Sequence, residues 1–299
     1  MNWGVEDCLT GLSRSLTRQG TAAFALEGVV FSAPDAANVL RRYLHHRFFC
    51  GRVSATPPPR SRASGDSGFV GLLADATRGA SCWERGFRVA KRGNDWVFAT
   101  DGRVCLFLEE RGQWDPLGGR EGEPVAVRVP RCRENLVPFR FTLHGGLGGL
   151  KKGEAFRKYL LSVSVEGALS AVEMMSSRAA DRMSFSMAVV NEPRDFERLD
   201  TVVVDVAERD DKAMVKLLTD FARSQPHRIK PGVPVFCRPV DMGLSRAEGE
   251  LTWEDRVEGF GERRCVWLSE AVAQSLKTGE LNVKVWAGKL EQTLKQAAG

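Results

Sequence analysis

The stretch RKYLLSVSVEGALSAVEMMSSRAADRMSFSMAVVNEPRDFERLDTVVVDVAERDDKAMVKLLTDFARS, Arg157 to Ser224, decides the fold. Its opening, RKYLLSVS, alternates like a strand. VEGALSAVEMMSSRAADR then carries apolar residues at helical spacing, and MSFSMAVV and DTVVVDVA return to strand character. DDKAMVKLLTDFARS is helical, with acidic residues leading where the helix dipole favours them. The order β-α-β-β-α predicts a split unit whose helices pack on one face of a mainly antiparallel sheet.

Toward the C-terminus, KPGVPVFCRPVDMGLSRAEGE (Lys230–Glu250) is stiff and glycine-punctuated, with Arg238 and Arg246 around it. Two closing helices are expected in ERRCVWLSEAVAQSLKTG and ELNVKVWAGKLEQTLKQAA. Toward the N-terminus, VPFRFTLHGG reads as a strand running into the glycine-rich HGGLGGLKKGE. Gly86 to Val129 breaks into short strands separated by RGND and TDGR, a meander of hairpins. VEDCLTGLSRSLTRQ and APDAANVLRRYLHHRFF read as amphipathic helices, and the Pro/Ser/Arg-rich Arg52–Gly68 segment reads as a loop. The expected class is α+β. An N-terminal helical and β-meander portion spans residues 1–135, and a C-terminal α+β portion carrying the site spans 136–299.

Composition bounds the function. The 299 residues are 43% hydrophobic and 27% charged, ordinary for a soluble protein. No apolar run approaches the roughly 18 residues of a membrane span. The N-terminus carries acidic residues and lacks the apolar core of a secretory signal, so a cytoplasmic location is expected. Seven scattered cysteines without a C-x-x-C pair read as reduced thiols. A net charge of +5 permits an anionic partner, but no basic stripe with interleaved aromatics suggests nucleic acid.

Several short motifs dissolve under their chemistry. GDSG at Gly65–Gly68 sits in the Pro/Arg-rich segment, with no strand around it and no placed histidine partner. GGLGGLKKG at Gly145–Gly153 misses the Walker spacing, and a strand follows where a dinucleotide fold needs a helix. A mobile loop is expected there, with Lys151 and Lys152 able to cover an anion. His45 and His46 lack a third metal ligand at useful spacing, so no metal site is expected. His144 ends a strand beside the glycine loop. The acidic pairs at 109–110 and 208–211 read as turn charges and a helix start. Arg157, Arg198, Arg238, Arg246, Arg263 and Arg264 each lie at the edge of an expected element. Their planar forks suit phosphate or carboxylate if those edges converge.

Taken in order, these segments resemble the Hop-A type of type III secretion effectors, whose relatives include lyase subunits of class V lanthipeptide and thioamitide biosynthesis. LRRYLHHRFFCGRV is similar to the family's L-x-x-x-L-Y-x-x-F-Y-C-R-G. FVGLLADATRGASCWERGFRV is similar to F-V-x-x-L-x-x-A-N-x-G-x-x-x-W-D-x-G-W. RKYLLSVS resembles R-x-Y-W-x-L, and MSFSMAVV resembles I-P-F-x-x-K-V-L. RLDTVVVDV resembles Y-x-R-x-D-x-x-V-L-Y-V, KPGVPVFCRPVDMGLSRAE the V-P-L-F-T-K segment, and EGFGERRC S-F-G-x-H-R-C.

The resemblance implies β-elimination: a kinase phosphorylates Ser or Thr of a ribosomally made precursor peptide, and the lyase removes phosphate to leave dehydroalanine or dehydrobutyrine. That chemistry needs a base for the Cα proton and cations for the enolate and the leaving phosphate, without metal or organic cofactor. By position, Arg157 and Tyr159 match R-x-Y, Arg198 and Asp200 match R-x-D, and Arg264 matches the last arginine of G-x-H-R-C. Arg238 stands where the family has lysine, Ala188 replaces the lysine of F-x-x-K, and Arg263 replaces the histidine. The implied site is Lys158 as base, Tyr159 or His144 as donor or positioning group, and Arg157, Arg198, Asp200, Arg238, Arg263 and Arg264 around the phosphate. Arg246 matches no family position. The implied partners are the phosphorylated precursor peptide and a separate Ser/Thr kinase-like protein. The alternatives are a non-catalytic subunit binding peptide or kinase, and a secreted effector acting on host proteins. Helix-like sequence close to Met1 favours the biosynthetic reading over the effector one.

Overall fold

The computed structural model describes residues 4–298 apart from 21–22, 53–64, 79–80, 103, 110–112, 116–119, 178–179 and 280–281. Most of the expected 52–68 loop lies outside the described residues. The first amphipathic segment forms α1 (Val5–Ser15) but does not continue to Gln19. Leu16–Gln19 is instead β1, joined antiparallel to β2 (Ala23–Leu26) and β3 (Val29–Ser32). Glu27 and Gly28 both have positive φ, 51° and 82°, giving the two-residue turn whose twist matches a tight hairpin. Once that hairpin exists, its open edge captures the end of the helical segment.

Helix α2 (Ala36–Leu44) forms as expected and widens into a π-helical turn over His45–Phe49. The GDSG motif turns out to be a helix start: the Asp66 carboxylate accepts from the Phe69 amide at 2.7 Å and caps α3 (Ser67–Asp75). Strands β4 (Ser81–Arg92), β5 (Val97–Thr100) and β6 (Cys105–Leu108) form the meander. β8 (Pro124–Pro130), preceded by the short β7 (Trp114–Asp115), returns to the free edge of β4.

The main sheet has seven strands, all neighbours antiparallel. Its members are β9 (Cys132–Val137), β10 (Arg140–His144), β11 (Phe156–Leu161), β12 (Phe185–Val190), β13 (Val202–Ala207), β14 (Cys237–Asp241) and β15 (Leu244–Ala247). They run in the order β14-β15-β11-β13-β12-β10-β9. The expected β-α-β-β-α unit is β11, α4 (Val165–Met175), β12, β13 and α5 (Asp211–Ser224). The class is α+β. The boundary expected at 135/136 falls inside β9.

One sheet face is apolar over its centre. Tyr159, Leu161, Phe185, Met187, Val202, Val204 and Val206 alternate onto it and bury against α3, α4 and α5. Each such side chain contributes roughly 1.5–3 kcal/mol. The expectation of helices on one face only is incomplete. α1, α2, α6 (Phe260–Thr278) and α7 (Val283–Ala298) build a second core that closes over Leu160, Cys237 and Ala247 on the opposite face. These helices carry their own apolar stripes, Leu40 and Leu44 on α2 and Cys265, Leu268 and Val272 on α6, which need a surface to cover. They leave the β10–β12–β13 side of that face open, and the site lies there. Among the described residues no helix is long and apolar enough to cross a membrane.

Candidate functional site

The open part of the second face forms the floor of a cleft of about 750 Å³. Strand register writes a polar row straight across it. Lys158 on β11 lies opposite Asp205 on β13, Asp205 opposite Ser186 on β12, and Ser186 opposite His144 on β10. All four are buried. The Lys158 ammonium meets the Asp205 carboxylate at 2.6 Å, and His144 Nδ1 lies 3.0 Å from the Ser186 hydroxyl. A π-helical turn at Asp255–Gly259, just before α6, brings Arg256 down on the row. Its guanidinium donates to Ser186 Oγ at 2.8 Å and to the Leu150 carbonyl at 3.1 Å, lies 3.6 Å from Asp205, and stacks on Trp253.

These contacts fix protonation. Burial, then the Arg133 and Arg256 charges, push His144 down to about 3, so its imidazole is neutral at physiological pH. Its Nε2 is buried with no hydrogen-bond partner and is left as an acceptor or donor for a ligand.

Two residues further along each strand the floor turns apolar, with Leu160, Val203 and Ala188 in register beside Thr142. Beyond it stands a second charged cluster. Asp200 is clamped by Arg198, through Nε at 2.7 Å and Nη2 at 2.6 Å, and by Arg140 at 2.8 Å. Burial opposes ionisation of Asp200, but the two guanidiniums overcome it and hold the carboxyl below its ordinary range. Arg52 pairs with Asp195 beside them. His45 and His46 enter from the other π-helical turn. Burial followed by Arg198 pushes His45 to about 3 and His46 to about 4.

Both walls are therefore π-helical, a geometry that recurs at functional sites because it re-aims side chains off the helical period. The two turns pack closely. A Cβ on Gly261 would sit 2.3 Å from the Phe49 ring, so that position needs glycine. Among the described residues, eight Lys/Arg side chains and five carboxylates line the cleft. The surplus suits an anion.

The expectation that His45 and His46 lack a third ligand is corrected by the π-turn, which brings Cys50 in. The three offer ligand atoms within 4.8 Å of one another, with Cys50 Sγ 3.7 Å from His45 Nδ1. This is the set that would hold a soft metal ion. Arg52, Arg140 and Arg198 crowd it, however, and their charge opposes a cation there.

The glycine loop is closely packed, against the expectation of a mobile one. A Cβ on Gly145, Gly146 or Gly148 would meet the backbone carbonyl of Met183, Asp181 or Trp83 at 2.5 Å or less. A Cβ on Gly149 would lie 2.8 Å from His144 Nδ1. The glycines let the chain seal the His144 end of the row, while Lys151 and Lys152 point to solvent.

Of the nine residues read from sequence, the cleft gathers Lys158, His144, Arg198 and Asp200. Arg157 and Tyr159 alternate to the opposite face. Arg157 is paired with Glu208, and the Tyr159 hydroxyl donates to Asp211 at 2.5 Å inside the apolar core. Arg238 is exposed on the edge strand β14, opposite Arg246. Arg263 and Arg264 turn to Asp255 and Trp267 instead of the cleft. Sequence reasoning missed Asp205, Ser186, Arg140 and Arg256. Asp205 and Ser186 carried a usable signal, a lone polar residue inside VVVDVA and FSMAVV. Arg256, ahead of α6, carried none.

The model of the HopA1 effector protein family matches residues 132–298, more than half of the chain. The chain belongs to the HopA1 effector protein family. The match begins at β9 and so takes in the whole seven-stranded sheet and both closing helices. A solved structure, the effector protein from Pseudomonas syringae pv. tomato strain DC3000, is 9% identical, with 81% of this chain and 88% of that chain covered and a TM-score of 0.39. No curated protein matches the chain.

Proposed function

We propose that the cleft binds a phosphoserine or phosphothreonine side chain of a peptide and eliminates its phosphate. The observation that carries this reading is the buried row Lys158–Asp205–Ser186–His144 with Arg256 above it. Lys158, held on Asp205, is a cation placed for the oxygen of a developing enolate. His144, neutral and with Nε2 unpartnered, takes the Cα proton; a phosphate dianion beside it offsets Arg133 and Arg256 and raises its basicity. The Cα–H electron pair becomes the Cα=Cβ bond, the Cβ–O bond breaks, and inorganic phosphate departs toward Arg256. The proton on His144 passes to phosphate or solvent. No metal or organic cofactor takes part in this step.

The substrate in this reading is a ribosomally made precursor peptide phosphorylated by a separate kinase-like protein in the cytoplasm. The family's effector description favours instead a protein of a host cell. A second reading, capture of a phosphopeptide or kinase without catalysis, is favoured by Ala188. It stands in the cleft floor where the family motif has lysine. Incubation of the purified protein with phosphoserine peptides decides between catalysis and capture. Loss of one phosphoric acid unit by mass, abolished in His144→Ala, supports elimination. Intact peptide that stays bound leaves capture.

A further inference from the structure

The cleft has two charged ends. His144 and Arg140 lie four residues apart on the same strand, so the ends are separated by roughly 13 Å of floor at the usual strand rise. The row between them is apolar on three strands, Leu160, Val203 and Ala188, and ends in Thr142 on β10. The electrostatics divide the same way. His144 feels Arg133 and Arg256, whereas His45 and His46 feel Arg198, with Arg140 and Arg52 adding to it. A single phosphoryl group, whose leaving oxygen and Cα proton sit on adjacent carbons, occupies one end only.

The far end is the more cationic of the two. Arg140 and Arg198 share Asp200, Arg52 holds Asp195, and Arg42 and Arg194 stand on the rim. Such an excess stabilises a bound anion, and Arg forks recognise carboxylate or phosphate equally well. An extended peptide rises by the same amount per residue as the strands below it. A chain laid across the floor therefore spans the two ends in about four residues.

We propose that the far cluster is a second anion subsite. The preferred substrate is an extended peptide carrying a further acidic or phosphorylated residue three to five positions from the phosphoresidue, with an apolar side chain between them. This rests on the reading that the Lys158 end takes the reacting phosphoryl group.

The test uses fluorescent peptides in which a phosphonate, with methylene in place of the ester oxygen, replaces phosphoserine, so that binding is read without elimination. A glutamate is moved from one to eight positions away, on either side. Binding about tenfold tighter at three to five positions than at one or eight is expected, the size of one additional charge-assisted contact. Arg42→Ala/Arg194→Ala, which removes only rim cations, is expected to erase the difference between spacings. A flat dependence on spacing, or one that survives the double variant, overturns the subsite. True phosphopeptides followed by mass report on the other claim. Spacing-dependent binding without phosphate loss sinks the lyase and keeps the subsite, and phosphate loss without spacing dependence does the reverse.

Discussion

Lys158 and Asp205 face each other across β11 and β13, joined by a 2.6 Å ion pair with both side chains more than nine-tenths buried. A buried pair gains little over an apolar pair of the same shape, but breaking it strands a charge without solvent. Asp205→Asn is therefore expected to cost about 3–5 kcal/mol in urea unfolding. Lys158→Met combined with Asp205→Leu is expected to cost far less than the sum of the two single changes. A double-mutant cycle with no coupling would mean that water screens the pair.

That pair also shows how far the sequence reaches. The R-x-Y match draws attention to Arg157 and Tyr159, yet a strand sends neighbours to opposite faces, and the cleft receives the residue between them. Phase was readable: Tyr159 and Leu161 share a face with Val202, Val204 and Val206, so Lys158 and Asp205 share the other. The central strands β10 to β13 and the closing helices were legible because their periodicities are regular, whereas β9 and the hairpin β14–β15, with Pro239 and charged residues breaking the alternation, were not. The N-terminal hairpin was not, since Leu16–Gln19 has helical neighbours and becomes a strand only through β2. The π-turns carry no periodic signature, which is why Arg256 and the grouping of Cys50 with His45 were hidden.

The histidines make stability fall with acid. Their folded values, about 3 for His45 and His144 and about 4 for His46, lie below the ordinary 6.5 of an unfolded chain. The unfolded state thus binds more protons between about pH 6.5 and pH 3, so stability is full above that window and declines as pH falls through it. Asp200, also held below its ordinary range, adds a further loss below about pH 4. His144→Gln, which keeps an amide for Ser186, is expected to make the decline shallower by removing one of the three contributions. A denaturation midpoint constant from pH 7 to pH 4.5 in the parent protein would contradict the burial of these rings.

The glycine loop gives a graded series. At Gly146 a methyl would meet the Asp181 carbonyl at 2.2 Å, and backbone cannot swing aside, so Gly146→Ala is expected to cost about 1–3 kcal/mol. Gly149→Ala presses on His144 Nδ1 and Ser186 Oγ and is expected to lower activity more than stability. A methyl added at Gly71, inside α3, would meet nothing within 4 Å, and Gly71→Ala is expected to gain up to about 1 kcal/mol in helix propensity. Thermal unfolding of the three variants side by side checks the order.

Tyr159 separates the face that folds the protein from the face that would do its chemistry. Its ring is in the apolar core and its hydroxyl is spent on Asp211, with burial and that carboxylate pushing the phenol upward. Tyr159→Phe removes the hydrogen bond and leaves the packing. It is expected to cost about 1 kcal/mol of stability and to leave phosphate elimination within about twofold of the parent. Lys158→Gln, one residue away, is expected to abolish elimination. Both are measured with the same phosphopeptide, by mass and by urea unfolding. A Tyr159→Phe variant that folds normally but fails to eliminate would place the chemistry on the helical side of the sheet, and the cleft would lose its claim.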